Sequence, residues 1–141
     1  MTLWVVDSSV ILKWYVPESD YAAARAMRTA ETQLAAPDLL FIEMSNILWK
    51  LARRGEMTAS RAIEIIEEIA SAPFVTISNQ SIAQDALDLA IATGLTAYDA
   101  SYVALAIRLD KILITADEKL VRKLVGTQMA NRVRRLADHT N

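Results

Sequence analysis

Residues 3–14 read Leu-Trp-Val-Val-Asp-Ser-Ser-Val-Ile-Leu-Lys-Trp, and the reading of this stretch decides the fold class. Its first four residues are a short apolar run of the kind buried on both faces in a parallel sheet. Asp7, Ser8 and Ser9 then offer capping side chains, which predicts a helix to about residue 14, ended by Pro17. A strand that passes straight into a helix is the first half of a βαβ unit, and the pattern recurs. Residues 112–115, Ile-Leu-Ile-Thr, are the cleanest buried strand in the chain, and Asp117-Glu118 opens a helix to about residue 125.

The elements between them follow from the same signals. Ser19 is placed to cap an Ala-rich helix to about residue 32, and residues 34–36 form a marginal strand. Pro37-Asp38 begins a long helix that stops before Gly55, and Thr58 opens another to about residue 71. Residues 74–77 are rich in β-formers, Ser81-x-x-Gln84 has the form of a capping box, and Gly94 closes the helix that follows. Thr96 caps a helix to about residue 109, and residues 133–136 make a last strand. Short apolar strands alternating with helices predict a three-layer α/β/α fold with a mainly parallel sheet of about four to five short strands. A length of 141 residues fits one domain over residues 1–141, at about 150 residues per domain.

Composition narrows the chemistry. With 53% hydrophobic and 23% charged residues the chain is globular in character. It contains no cysteine, which excludes disulfides, thiolate zinc sites, iron–sulfur clusters and a cysteine nucleophile, and fits a reducing, cytoplasmic setting. The one histidine, His139, lies beside the C-terminus, so a Ser-His-Asp triad or a histidine metal centre has almost nothing to be built from. Residues 1–6 are apolar but end at Asp7 with no basic segment before them, unlike a signal peptide, and no uncharged apolar run reaches the ~18 residues of a membrane span. Net charge is −2, yet residues 119–137 hold Lys119, Arg122, Lys123, Arg132, Arg134 and Arg135 and no acid, a local +6 suited to seating a polyanion.

Carboxylates and hydroxyls remain as reactive groups. Asp7 directly follows the first strand and Asp117 comes two residues after Thr115, so both belong at the carboxyl edge of the sheet, where doubly wound folds bind ligands. Each has a hydroxyl two residues away, Ser9 and Thr115, although Asp and Ser at these places also serve as plain helix caps. Asp99 sits three residues after Thr96, where a carboxylate complements the positive end of a helix. Glu43 lies on the shoulder of the apolar stripe Leu40, Met44, Ile47 and Leu51, with Asn46 further out on the same side. Four acids in one cleft repel by ~4 kcal/mol per pair at 4 Å, and oxygen ligands alone select Mg2+ or Mn2+ to answer that repulsion. A metal-held water attacking a phosphodiester is the natural reaction of such a site, with no histidine required.

Other phosphate chemistries fit less well. Gly55, Gly94 and Gly126 lie too far apart for a phosphate-cradling loop. An aspartyl-nucleophile phosphatase would carry a second Asp where Ser9 stands, and an adhesion-type metal site would need a hydroxyl at Ile11. A receiver-like signalling module, the non-catalytic alternative, would want adjacent acids at the first strand end, where Val6 and Ser8 flank Asp7.

Four segments, VVDSSVILKW, PDLLFIEMSNILWK, TAYDASYVALA and ITADEKL, resemble in order and separation the acidic segments of PIN-domain ribonucleases, and of VapC-type toxins in particular. The resemblance runs from Leu3 to about Leu124. It implies Asp7, Glu43, Asp99 and Asp117 as the acidic quartet, with Ser9 and Thr115 as supporting hydroxyls. It also implies Mg2+ or Mn2+ as cofactor, with Asp7 and Asp99 as principal ligands, an RNA substrate, a homodimer, and a small antitoxin protein that neutralises the nuclease. An RNA-processing PIN nuclease without an antitoxin is the nearest alternative.

The remaining features have two readings each. Lys50, Arg53 and Arg54 could grip phosphate or simply answer a helix C-terminus. Trp14, Tyr15 and Trp49 are candidates for a partner surface or for a second, smaller core contact, and the helix over residues 58–71 is expected to bury Ile63, Ile66 and Ala70 in the core ahead of offering them as an antitoxin groove.

Overall fold

The structure, a computed structural model, describes residues 2–139. Five strands, β1 (Thr2–Val6), β2 (Thr32–Pro37), β3 (Val75–Ile77), β4 (Leu113–Thr115) and β5 (Val133–Arg135), form one sheet in the order β3-β2-β1-β4-β5. Every neighbouring pair is parallel. Helices α1 (Ser8–Leu12), α2 (Tyr21–Ala26), α3 (Leu39–Arg53), α4 (Ala59–Ser71), α5 (Asn79–Thr93), α6 (Ala97–Leu109) and α7 (Glu118–Leu124) connect the strands, giving the expected three-layer α/β/α architecture.

The apolar runs of β1, β2 and β4 form strands because their central residues are covered from both sides, whereas β3 at the sheet edge stays largely exposed. Val5, Val6, Ala35, Ala36, Leu113 and Ile114 are all fully buried. Every residue from 100 to 106 of α6 is buried, so this helix is a core element with no solvent face over two turns. The chain runs outward from β1 to β2 and β3, then returns past β1 to β4 and β5. The strand order therefore reverses between β1 and β4, and register pairs Val6 with Ile114 at the carboxyl ends. Asp7 and Thr115 follow those two residues directly.

Several local expectations are corrected. The Ala-rich helix ends at Ala26 instead of residue 32, and Asp20, in the left-handed region at φ 64°, precedes it in place of Ser19. Thr32 is drawn into β2 by pairing with Thr2, and the Trp14 indole N–H donates to the Ala24 carbonyl at 2.9 Å, fixing where the helix can lie. Tertiary pairing here outweighs alanine's helix preference. The expected marginal strand is six residues long, because Ala35 and Ala36 sit between two neighbouring strands. Ser78, not Ser81, caps α5, accepting from the Ser81 N–H at 3.1 Å. On α3 the fully inward residues are Leu40, Met44 and Leu48, with Ile47 and Leu51 half-buried.

Trp14 is 5% exposed and stacked near Phe74 with ring centres 6.1 Å apart, so it belongs to the core and not to a partner surface. Tyr15 is half-buried, and Trp49 is exposed under the Arg53 guanidinium. Helix α4 buries Ile65 and Ile69, leaves Ile63 57% exposed, and turns Ala70 outward. The face expected to be buried is thus rotated by part of a turn. Ile65→Ala should cost ~2–5 kcal/mol in urea unfolding, whereas Ile63→Ala should change stability by less than ~1 kcal/mol. Equal losses would contradict this packing.

Candidate active site

Asp7 is the N-cap of α1 and is 8% exposed at the β1–β4 seam. Its Oδ1 accepts from the Ser9 backbone N–H at 3.1 Å and from the Ser9 hydroxyl at 2.5 Å. Its Oδ2 accepts from the Thr115 hydroxyl at 2.5 Å, across the seam. Both hydroxyls are oriented from behind: Ser9 Oγ accepts from the Ala116 N–H at 2.9 Å, and Thr115 Oγ1 accepts from the Asp117 N–H at 3.0 Å. Each hydroxyl accepts one backbone N–H and gives its proton to the Asp7 carboxylate, the nearest acceptor to both. Burial pushes the Asp7 carboxyl up to about 6, against the Ser9, Thr115 and Val10 hydrogen bonds, and the charge of Asp99 adds to the rise.

Glu43 is half-buried one turn into α3, and its Oε1 accepts from the Tyr102 hydroxyl at 2.5 Å. Burial raises its pKa, the Tyr102 bond opposes the rise, and Asp99 adds to it. Tyr102, on α6 one turn beyond Asp99, is 2% exposed. Burial, followed by the neighbouring Glu43 carboxylate, holds its hydroxyl protonated far above the ordinary phenol range. Tyr102 was not singled out from the sequence. The signal was a phenol inside an otherwise small and apolar helix, since a buried tyrosine hydroxyl needs a partner.

Asp99 is half-buried in the first turn of α6, where the Thr96 hydroxyl accepts its N–H at 3.1 Å. Burial raises the Asp99 carboxyl, the charge of Asp117 raises it further, and Lys123 and Thr96 pull it back. Asp117 caps α7, its Oδ1 accepting from the Lys119 and Leu120 N–H groups at 3.0 and 3.3 Å. The capping reading is therefore correct for Asp7 and Asp117 as far as it goes. It leaves the burial of Asp7 and the charge of Asp99 acting on it unexplained.

The fold brings all four acids to one edge of the sheet and couples them through Asp99, whose charge acts on Asp7 and Glu43 and which is itself acted on by Asp117. None of the ion pairs among the described residues involves any of the four. Among the described residues no three carboxylates stand close enough to hold one ion as they are. Asn46 is exposed on α3 and takes no part in these hydrogen bonds. Thr115 donates its hydroxyl to Asp7 and not to the carboxylate of Asp117 two residues on.

A doubly wound parallel sheet with carboxylates gathered at its switch point defines an acidic-edge α/β protein. Residues 4–124 match the PIN domain family model, and the chain belongs to that family. It is 38% identical over 122 residues to a protein named Ribonuclease VapC3 of Pyrobaculum aerophilum, covering 84% of this chain and 92% of that protein. A crystal structure of another Pyrobaculum aerophilum protein superposes with a TM-score of 0.70 at 26% identity, covering 96% of this chain and 85% of that one. The VapBC-1 structure from nontypeable Haemophilus influenzae shares the fold, with a TM-score of 0.63 at 15% identity, over 98% of this chain and 100% of that chain. The likeness to VapC-type PIN proteins drawn from the four acidic segments is borne out.

The raised Asp7 carboxyl has a consequence for stability. Below the unfolded value of 3.8 the group is protonated in both states, and above about 6 the folded protein carries a buried charge. Its favourable contribution is thus present at low pH and lost as pH rises through about 6. Asp7→Asn should therefore gain on wild type by up to about 2–3 kcal/mol as pH rises from 4 to 7 in chelator, measured by chemical unfolding. A difference independent of pH would show that Asp7 carries no such strain.

Proposed function

We propose that this protein is a Mg2+- or Mn2+-dependent endoribonuclease and the toxin half of a toxin–antitoxin pair, acting in the cytoplasm as one PIN-like unit. The observation that carries this reading is the buried Asp7, oriented by two hydroxyls and electrostatically coupled to Asp99, neither acid being in an ion pair among the described residues. The naming of its relative as a ribonuclease supports the substrate.

The donor set fits a divalent cation. All the donors are oxygens, the ligand type that hard divalent cations take, and Mg2+ commonly uses only one or two carboxylates and keeps waters for its other positions. Asp7 and Asp99 would hold the ion, with Glu43 and Asp117 beside them. A bound Mg2+ or Mn2+ supplies an acidified water and charge to balance the phosphate. Ser9 and Thr115 fix the Asp7 carboxylate, so little reorganisation is needed when a ligand arrives. Glu43, with one oxygen on Tyr102 and its pKa raised by burial, would take a proton from the attacking water in this reading.

Exposed Trp49 and Ile63, beside a groove of about 230 Å³ between α3 and α4, support a protein partner such as an antitoxin. A homodimer is part of the same reading. The nearest second reading, an RNA-processing PIN nuclease without an antitoxin, shares the chemistry and lacks that partner. PIN membership leaves the receiver-like alternative without support.

Purified protein should cleave a circular single-stranded RNA with Mg2+ or Mn2+ and stop in chelator, and Asp99→Asn should lower the rate at least ~10²-fold while remaining folded. A circle has no ends, so any cut is internal. Full activity in chelator, or wild-type turnover by the variant, would overturn the mechanism.

A further inference from the structure

The basic segment at the end of the chain is not one surface. Its last three cations are committed within the protein: Arg132 pairs with Asp110 at 2.7 Å, Arg135 bridges Glu118 and Asp138, and Arg134 lies over the Trp4 ring at 5.4 Å. Its first three, Lys119, Arg122 and Lys123, are exposed on α7 and enter none of the ion pairs among the described residues. Spacings of three and four residues put them on one face of the helix. That face starts beside the Asp117 cap, and the charge of Lys123 already reaches Asp99.

A cleft of about 440 Å³ opens beside it, lined by Asp117, Lys119 and Arg122 on one side and Ser19 and Asp20 on the other. Its far wall is held by Lys13, whose side chain is only 8% exposed and whose Nζ donates to the Ser19 carbonyl at 2.7 Å and to Glu18 at 3.4 Å. Lys13 is thereby spent on the wall. Glu118, the acid nearest the lining cations in sequence, is answered by Arg135 at 3.3 Å. The cleft thus offers Lys119 and Arg122, which enter none of the ion pairs among the described residues and lie within about one and a half helical turns of Asp117, with the Asp20 carboxylate on the opposite side, in a volume of the size that takes a small ligand.

We infer that this cleft and the exposed face of α7 form a subsite for the backbone phosphates of single-stranded RNA flanking the bond cut at the acidic edge, with Lys119, Arg122 and Lys123 as its contacts. The inference rests on the ribonuclease reading. Phosphates held there would run the strand along α7 toward Asp99 and Asp117, and the cations would offset repulsion between the RNA and the four carboxylates.

The test is fluorescence anisotropy of a labelled single-stranded RNA against wild type, Lys119→Gln/Arg122→Gln and Arg132→Gln/Arg134→Gln, in Ca2+ over a range of salt, with cleavage kinetics in Mg2+ beside it. The α7 double variant should bind on the order of tenfold more weakly near 0.1 M salt, and its slope of log K against log salt should be shallower by about 1.4, the loss of two single-strand phosphate contacts. Its KM should rise with little change in kcat, and the Arg132/Arg134 variant should keep the wild-type slope. RNA bound and cleaved with equal slopes in all three proteins would overturn this inference alone. A shallower slope for the α7 variant with no cleavage by wild type would uphold the subsite and overturn the nuclease. No RNA binding by wild type would overturn both.

Discussion

The hydrogen bond from the Thr115 hydroxyl to Asp7 joins the carboxyl ends of β1 and β4, and the arrangement of the acidic edge depends on it. It forms where the strand order reverses, the one place in the sheet where two adjacent strand ends diverge into different connections. Asp7 must stay buried there because α1 begins on it, and it must be satisfied there because a bare buried carboxylate is costly. Ser9 and Thr115 satisfy it, and the backbone leading into α7 orients both hydroxyls. The ends of β1 and β4 and the two helix caps that follow them are therefore one hydrogen-bonded unit, and Asp99 reaches it by charge alone.

That unit carries a cost in the absence of a cation. Asp7, Glu43 and Asp99 are all pushed upward, in each case first by burial, with the charge of Asp99 adding to the rise of Asp7 and Glu43 and the charge of Asp117 to that of Asp99. The core tolerates this through the covering of β1 and β4, whose Val5, Val6, Leu113 and Ile114 are fully buried. Local rules are commonly broken in this way at a working site, where stability is given up for a poised charge arrangement.

Much of the architecture was legible because its signals are local. An apolar run followed by Asp-Ser-Ser, or by Thr-Ala-Asp, names both a strand and the cap after it, so β1, β4 and the edge positions of Asp7 and Asp117 could be read directly. What was illegible depends on contacts distant in sequence. The Tyr102–Glu43 bond spans 59 residues, and no periodicity announces it. The early end of α2 follows from Thr2–Thr32 pairing and the Trp14 anchor. The basic segment read as a uniform +6 because Asp110, the partner of Arg132, lies outside it. For α4, several stripes of isoleucine were compatible with a helical period, and only packing against α3 selects Ile65 and Ile69.

The central claim is that the acids at the β1–β4 seam form a divalent-cation site held in shape by Thr115. Mn2+ titration of metal-free protein followed by electron paramagnetic resonance tests it most directly, since free ion is counted apart from any reaction. Wild type should take up Mn2+, Asp99→Asn should weaken binding by ~10-fold or more, and Thr115→Val should weaken it by ~10–100-fold through misplacement of Asp7. Mn2+ binding equal in all three proteins, or absent from wild type at millimolar ion, would contradict it.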